Sequence, residues 1–136
     1  RTAVDGVDSR CFTITAWKAL AALPPGLVAA EIDLGPVILV ATPHSVVAAP
    51  YHRMLRGLRD VDVMLSAPPP KALARITERG VDYVAACTTA KTVPEPGGLL
   101  AELLAGRLAN DFEELKGDPT VRVFRRVSHA YAFTAH

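Results

Sequence analysis

Apolar positions along the chain switch repeatedly between helical and extended spacing. Phe12, Ala16, Leu20 and Leu23 recur at helical spacing with Trp17 bordering the stripe. This predicts a helix over 10–22 with Ser9 as its N-cap. "LPPG" (23–26) ends it, because proline cannot continue a helix and glycine frees the turn. "LVAAEID" (27–33) reads as a strand, broken by Gly35 and Pro36. "VILVA" (37–41) fits either a strand or one to two turns of buried helix. "SVVAAP" (45–50) is a second short strand, stopped by Pro50. Met54, Leu58, Val61 and Leu65 then mark one face of a helix over 52–66. Ser66 caps another helix, whose prolines suit a first turn; it runs to Arg79 with Leu73 and Ile76 inward and Gly80 as its stop. "VDYVAAC" (81–87) is the clearest strand, followed by a loop over 88–96. Gly97 and Gly98 open a helix to 108, striped by Leu99, Leu100, Leu103 and Leu104. A polar loop holding Asp118 and Pro119 leads to "TVRVFRRV" (120–127), whose apolar–basic alternation predicts an edge strand exposed on one face.

Strands alternating with helices predict an α/β domain of three layers. The expected sheet is mainly parallel, of about four to five strands, with helices on both faces in a Rossmann-like arrangement. Residues 1–9 read as a flexible tail and 10–136 as a single domain, with no internal repeat.

Composition narrows the function. The chain has 136 residues, half of them hydrophobic, enough for a core of its own. Its net charge of +1 and scattered charges argue against a nucleic-acid binder, which needs a clustered basic face. The one basic run, "RMLRGLR" (53–59), is followed at once by Asp60 and Asp62 and reads as a solvated helix face. No apolar run approaches the roughly 20 residues of a membrane span, and no signal peptide is seen. The chain starts at Arg1, which suggests a piece of a longer protein. Cys11 and Cys87 lack metal or redox spacing. They are either small buried hydrophobes or, in an oxidising compartment, one disulfide closing a long loop.

Nucleotide-binding and hydrolase signatures are missing: no GxGxxG follows a strand, and no GxSxG elbow occurs. Ser45 follows His44, but neighbours on a strand point to opposite faces and make a poor nucleophile–base pair. The candidates for chemistry are Asp33, His44, Tyr51, His52 and Arg53. Asp33 lies just past the carboxyl end of a strand, where ligands of open α/β sheets usually bind. Tyr51 and His52 follow the next strand, and His44 precedes it. If those strands are parallel neighbours, Asp33 and the Tyr51–His52 pair share one edge, where a carboxylate and an imidazole can pair, bind a metal or act as acid and base. The competing reading makes both histidines structural, capping backbone groups at strand ends, and Tyr51 a core or rim aromatic. Two histidines and one aspartate fall short of a zinc set. His129 and His136 are expected to be exposed.

The stretch "AAEIDLGPVILVATPHSVVAAPYHR" resembles the C-terminal region of polytopic bacterial inner-membrane proteins related to the GT-C glycosyltransferases. The matching residues are Asp33, Leu34, Gly35, Pro36, Thr42, Pro43, His44, Ser45, Tyr51, His52 and Arg53, then Arg79, Gly80, Val81, Tyr83 and Cys87. "RCF" around Cys11 matches the upstream segment. The family often carries Asn at the position after Arg53, where this chain has Met54. A weaker likeness extends to oligosaccharyltransferase catalytic subunits: "IDLG" keeps the Asp-x-Gly core of their Trp-Trp-Asp-Tyr-Gly motif at Asp33 and Gly35. Both tryptophans are absent, a departure that bears on acceptor-peptide recognition.

The resemblance implies an inner-membrane protein with this domain in the periplasm and transmembrane helices before Arg1. It favours a Cys11–Cys87 disulfide. It implies an accessory, acceptor-facing domain, inactive alone and with no cofactor of its own, because acidic residues and metal come from the membrane part. The implied partners are the transmembrane region of the same chain and a lipid-linked sugar or acceptor. Asp33, His44, Tyr51, His52 and Arg53 would face that membrane site, with Arg53 pairing a phosphate or carboxylate. The alternatives are a non-catalytic structural or interaction module and a small independent enzyme.

Overall fold

The computed structural model describes residues 9–48, 55–89 and 93–127. Five strands form one open sheet in the order β2-β1-β3-β5-β4. They are β1 (Leu27–Ala29), β2 (Ser45–Val46), β3 (Tyr83–Cys87), β4 (Phe112–Leu115) and β5 (Val121–Arg126). β1 pairs in parallel with β2 on one side and β3 on the other. β5 then pairs antiparallel with both β3 and β4. The sheet is mixed, with β2, β1 and β3 as a parallel half on one side and antiparallel pairs on the other, and helices flank it on both faces as expected.

One face carries α3 (Leu55–Ser66), α4 (Pro69–Arg79) and α5 (Leu99–Leu104). Val61, Met64, Leu65, Ile76, Leu99 and Leu103 pack there with Ala29, Val84, Ala86 and Phe124 of the sheet. Gly57 lets α3 come close, since a Cβ there would strike the Val47 carbonyl oxygen. Asp60, 5% exposed, ties α3 to α4 by accepting from both the Arg75 and Arg79 guanidiniums. Gly80, at φ +70°, closes α4 in the left-handed region.

The other face is thinner. It holds two 3-10 turns (Ser9–Phe12 and Thr15–Trp17), α1 (Lys18–Ala21) and α2 (Gly35–Ala41). Cys11, Trp17, Leu20, Leu34 and Ile38 are fully buried against Val28, Ala85 and Val123. Cys11 and Cys87 form a disulfide, which fastens the first turn to the carboxyl end of β3.

Several predicted elements change on folding. The helix over 10–22 breaks into the two 3-10 turns and α1. The Trp17 indole N–H donates to the Cys11 carbonyl at 2.7 Å, and the Thr13 hydroxyl accepts from the Ala16 N–H. Both bonds compete with the α-helical ladder. The strand over 27–33 stops at Ala29, and Ile32–Leu34 turns instead. "VILVA" is helix: Pro36 sits in the first turn of α2, where its missing N–H costs nothing. β4 lies where a polar loop is expected, so β5 is an inner strand. "FEEL" is too short and acidic to read as a strand. It is held by cross-strand pairs, Glu113 with Arg125 and Glu114 with Arg122.

The disulfide spans 76 residues of chain. Replacing both cysteines by serine is expected to lower the unfolding free energy by roughly 4 kcal/mol, read from urea denaturation. An unchanged midpoint would show that the thin layer holds without the link.

Candidate functional site

The connections that leave β1 and β3 run on opposite faces. β1 passes to β2 through α2 on the thin face, and β3 passes on to α5 on the thick face. Beyond the carboxyl ends of β1 and β3 the two chain paths diverge. Such a topological switch point leaves a crevice, the usual ligand position of open α/β sheets.

A crevice is present there. One part, of about 410 Å³, lies between Glu31 and Ile32 after β1, the α3 face carrying Leu58, Val61, Asp62 and Leu65, and the segment Val93–Glu95. A second part, of about 300 Å³, reaches Ala86, Cys87 and Thr88 at the end of β3, with Arg122 at its far wall. Glu31, Val93, Pro94 and Leu100 line both, so the two parts form one cleft. Its floor is apolar and Glu31 stands at its middle.

Burial pushes the Glu31 carboxyl above the usual carboxylate range, and the nearby Asp33 charge adds to the rise. No hydrogen bond or ion pair joins it to another described residue. Asp33, half-buried in the turn after β1, therefore acts on the cleft electrostatically, although it does not line it.

His44 lies elsewhere. It precedes β2 at the amino edge of the sheet and is 4% exposed. Its Nδ1 accepts from the Gly26 N–H at 3.1 Å, and its Nε2 meets the Leu20 carbonyl at 2.6 Å. Those partners select the neutral tautomer with hydrogen on Nε2. The ring also lies 5.0 Å from that of Tyr83. The preceding "TP" prepares this position: the Thr42 hydroxyl donates to the Ile38 carbonyl and accepts from the His44 N–H. His44 thus joins α1, β1 and β2 at the edge opposite Asp33, with both ring nitrogens engaged.

Tyr51, His52 and Arg53 lie outside the described residues, as do His129 and His136. β1 and β2 are parallel neighbours, the condition for Asp33 and the Tyr51–His52 segment to share an edge. Among the described residues no group of three or more His, Cys, Asp or Glu is placed to hold a metal.

Sequence reasoning passed over Glu31 and Asp62. Glu31 carries the same signal as Asp33, an acid at the carboxyl end of an apolar strand, but the apolar run hides that the strand ends at Ala29. Asp62 is exposed on α3, and only the fold shows that it lines the cleft.

Two outcomes separate these roles. His44→Ala strands the Gly26 N–H and the Leu20 carbonyl and opens a hole, so a loss of about 2–4 kcal/mol is expected in denaturant titration. Glu31 acts in reverse. Its raised folded pKa means that stability falls as pH rises from the unfolded value through the folded one. Glu31→Gln should therefore melt higher than the parent at pH 7, with the gain vanishing towards pH 4. A gain that is constant across pH would remove burial of the charge as its cause.

No family model matches the chain, and no curated protein matches it. Among solved structures, it is similar to the C-terminal globular domain of an oligosaccharyltransferase from Archaeoglobus fulgidus. The TM-score is 0.61 at 18% sequence identity, over 82% of this chain and 92% of that one. The chain shares the fold of that domain almost end to end.

Proposed function

We propose that this chain is the extracytoplasmic C-terminal domain of a membrane glycosyltransferase-like protein, set against the transmembrane region of the same polypeptide and inactive alone. The observation that carries the reading is the fold likeness to the oligosaccharyltransferase domain, which takes in 92% of that domain. The disulfide supports it, because such links persist in oxidising compartments, as the periplasm is. No helix among the described residues is long and apolar enough to cross a membrane.

In this reading the carboxyl edge of the parallel strands turns towards the membrane-embedded active site. Asp33, beside the cleft, belongs to that edge, and Tyr51, His52 and Arg53 are assigned to the same membrane-facing site from the sequence resemblance. Their roles are to orient a lipid-linked sugar or its acceptor, with Arg53 pairing a phosphate or carboxylate. His44 supports the edge from below by fixing where β2 starts.

The test uses the full-length protein in membranes, with transfer from a lipid-linked sugar as the readout. Asp33→Ala and His52→Ala should each lower transfer at least tenfold, about 1.4 kcal/mol of barrier, while the melting temperature stays within about 2 °C of the parent. Unchanged transfer in both variants would overturn the reading. Loss of folding in both would assign these residues to structure.

A further inference from the structure

We propose that the cleft beyond β1 and β3 binds an extended polypeptide segment that carries a lysine or arginine beside an aliphatic side chain. Three independent features converge on this occupant. First, the cleft lies at the switch point of the sheet, where the fold itself leaves a crevice and the backbone ends of β1 and β3 open into it. Second, the floor is aliphatic, from Ile32, Val61, Leu65 and Leu100, and Val93 at the mouth is 85% exposed. An aliphatic side chain held so far into water at the rim of an apolar cleft gains if a partner's apolar side chain covers it. Third, the charge of the wider part is of one sign. Glu31, Asp62 and Glu95 line it, and no described Lys, Arg or His does. The whole chain carries +1, so this acidity belongs to the cleft and does not follow from composition.

Charge complementarity then selects the partner. A guanidinium or ammonium group placed between Glu31 and Asp62 would relieve the cost of holding the Glu31 charge out of water, while its aliphatic stem lies along Val61 and Leu65. A neutral apolar segment would leave that charge buried and unpaired. An anionic lipid headgroup or phosphate would be repelled from this wider part, and Arg122 in the narrower part is already paired with Glu114. The proposal rests on the cleft alone and holds whether or not the membrane reading does.

The experiment is a titration of the disulfide-intact 136-residue chain, followed by two-dimensional NMR at low salt. The probes are the capped peptides Leu-Arg-Val-Lys-Leu and Leu-Gln-Val-Gln-Leu, without lipid or sugar. The cationic peptide should bind at least tenfold tighter, shift the resonances of Ile32, Val61 and Leu100, and weaken as salt rises. The Glu31→Gln/Asp62→Asn pair should reduce its affinity to that of the neutral peptide. Both changes keep side-chain shape, and a melting curve confirms the folded state. Equal affinity for the two peptides, no binding of either, shifts away from the cleft, or full affinity in the double variant would each overturn the proposal. Sugar transfer plays no part in this readout, so its outcome leaves the glycosyltransferase reading where it stood.

Discussion

The structure is organised by one short strand with neighbours on both edges. β1 is three residues long, yet it is hydrogen-bonded to β2 and β3, and Val28 and Ala29 are fully buried. A strand in that position has no free edge and no free face, so the chain can leave only past its carboxyl end. Its path to β2 runs on the thin face, whereas the chain leaving its neighbour β3 turns to α5 on the thick face. The cleft follows from this geometry, and so does the burial of Glu31, two residues beyond the last residue of β1. The same constraint separates the histidine from the acids: residues after β1 gather at one edge, and residues before β2 at the other.

The two covering layers solve the problem of burial differently. The thick layer has three helices, a broad aliphatic contact and the Asp60–Arg75–Arg79 tie between two of them. The thin layer has short turns and two short helices, too little for helical propensity or area alone to fix its place. Specific links take over there: the disulfide, the Trp17 bond to the Cys11 carbonyl, and the two His44 bonds. The disulfide also borders the cleft, since Cys87 is part of its wall, so stability and the candidate site share a boundary.

Much of the fold was legible because burial imposes periodicity. "VDYVAAC" is apolar on both sides and is a central strand; the stripes of α3, α4 and α5 gave their buried faces directly. What was misread depends on partners distant in sequence. "FEEL" is a strand because it pairs with β5, where Arg125 stands opposite Glu113 and Arg122 reaches Glu114. The first helix is broken because an indole far along the turn takes its carbonyl. Glu31 looked like part of a strand, because nothing local shows that pairing ends at Ala29.

By itself the sequence determined the class: an α/β chain of helical and extended stripes, a cysteine pair with no metal spacing, and polar residues gathered around the second strand. Those are local properties, set by side-chain volume, hydrophobicity and backbone preference, and each is written in consecutive residues. Only the tertiary structure decided that His44 closes one edge of the sheet while Glu31 and Asp33 stand at the other. Strand order is fixed by long-range pairing, and the direction in which a side chain points depends on which strands lie beside it. A charge buried by a helix thirty positions on leaves no mark in its own neighbourhood of the sequence.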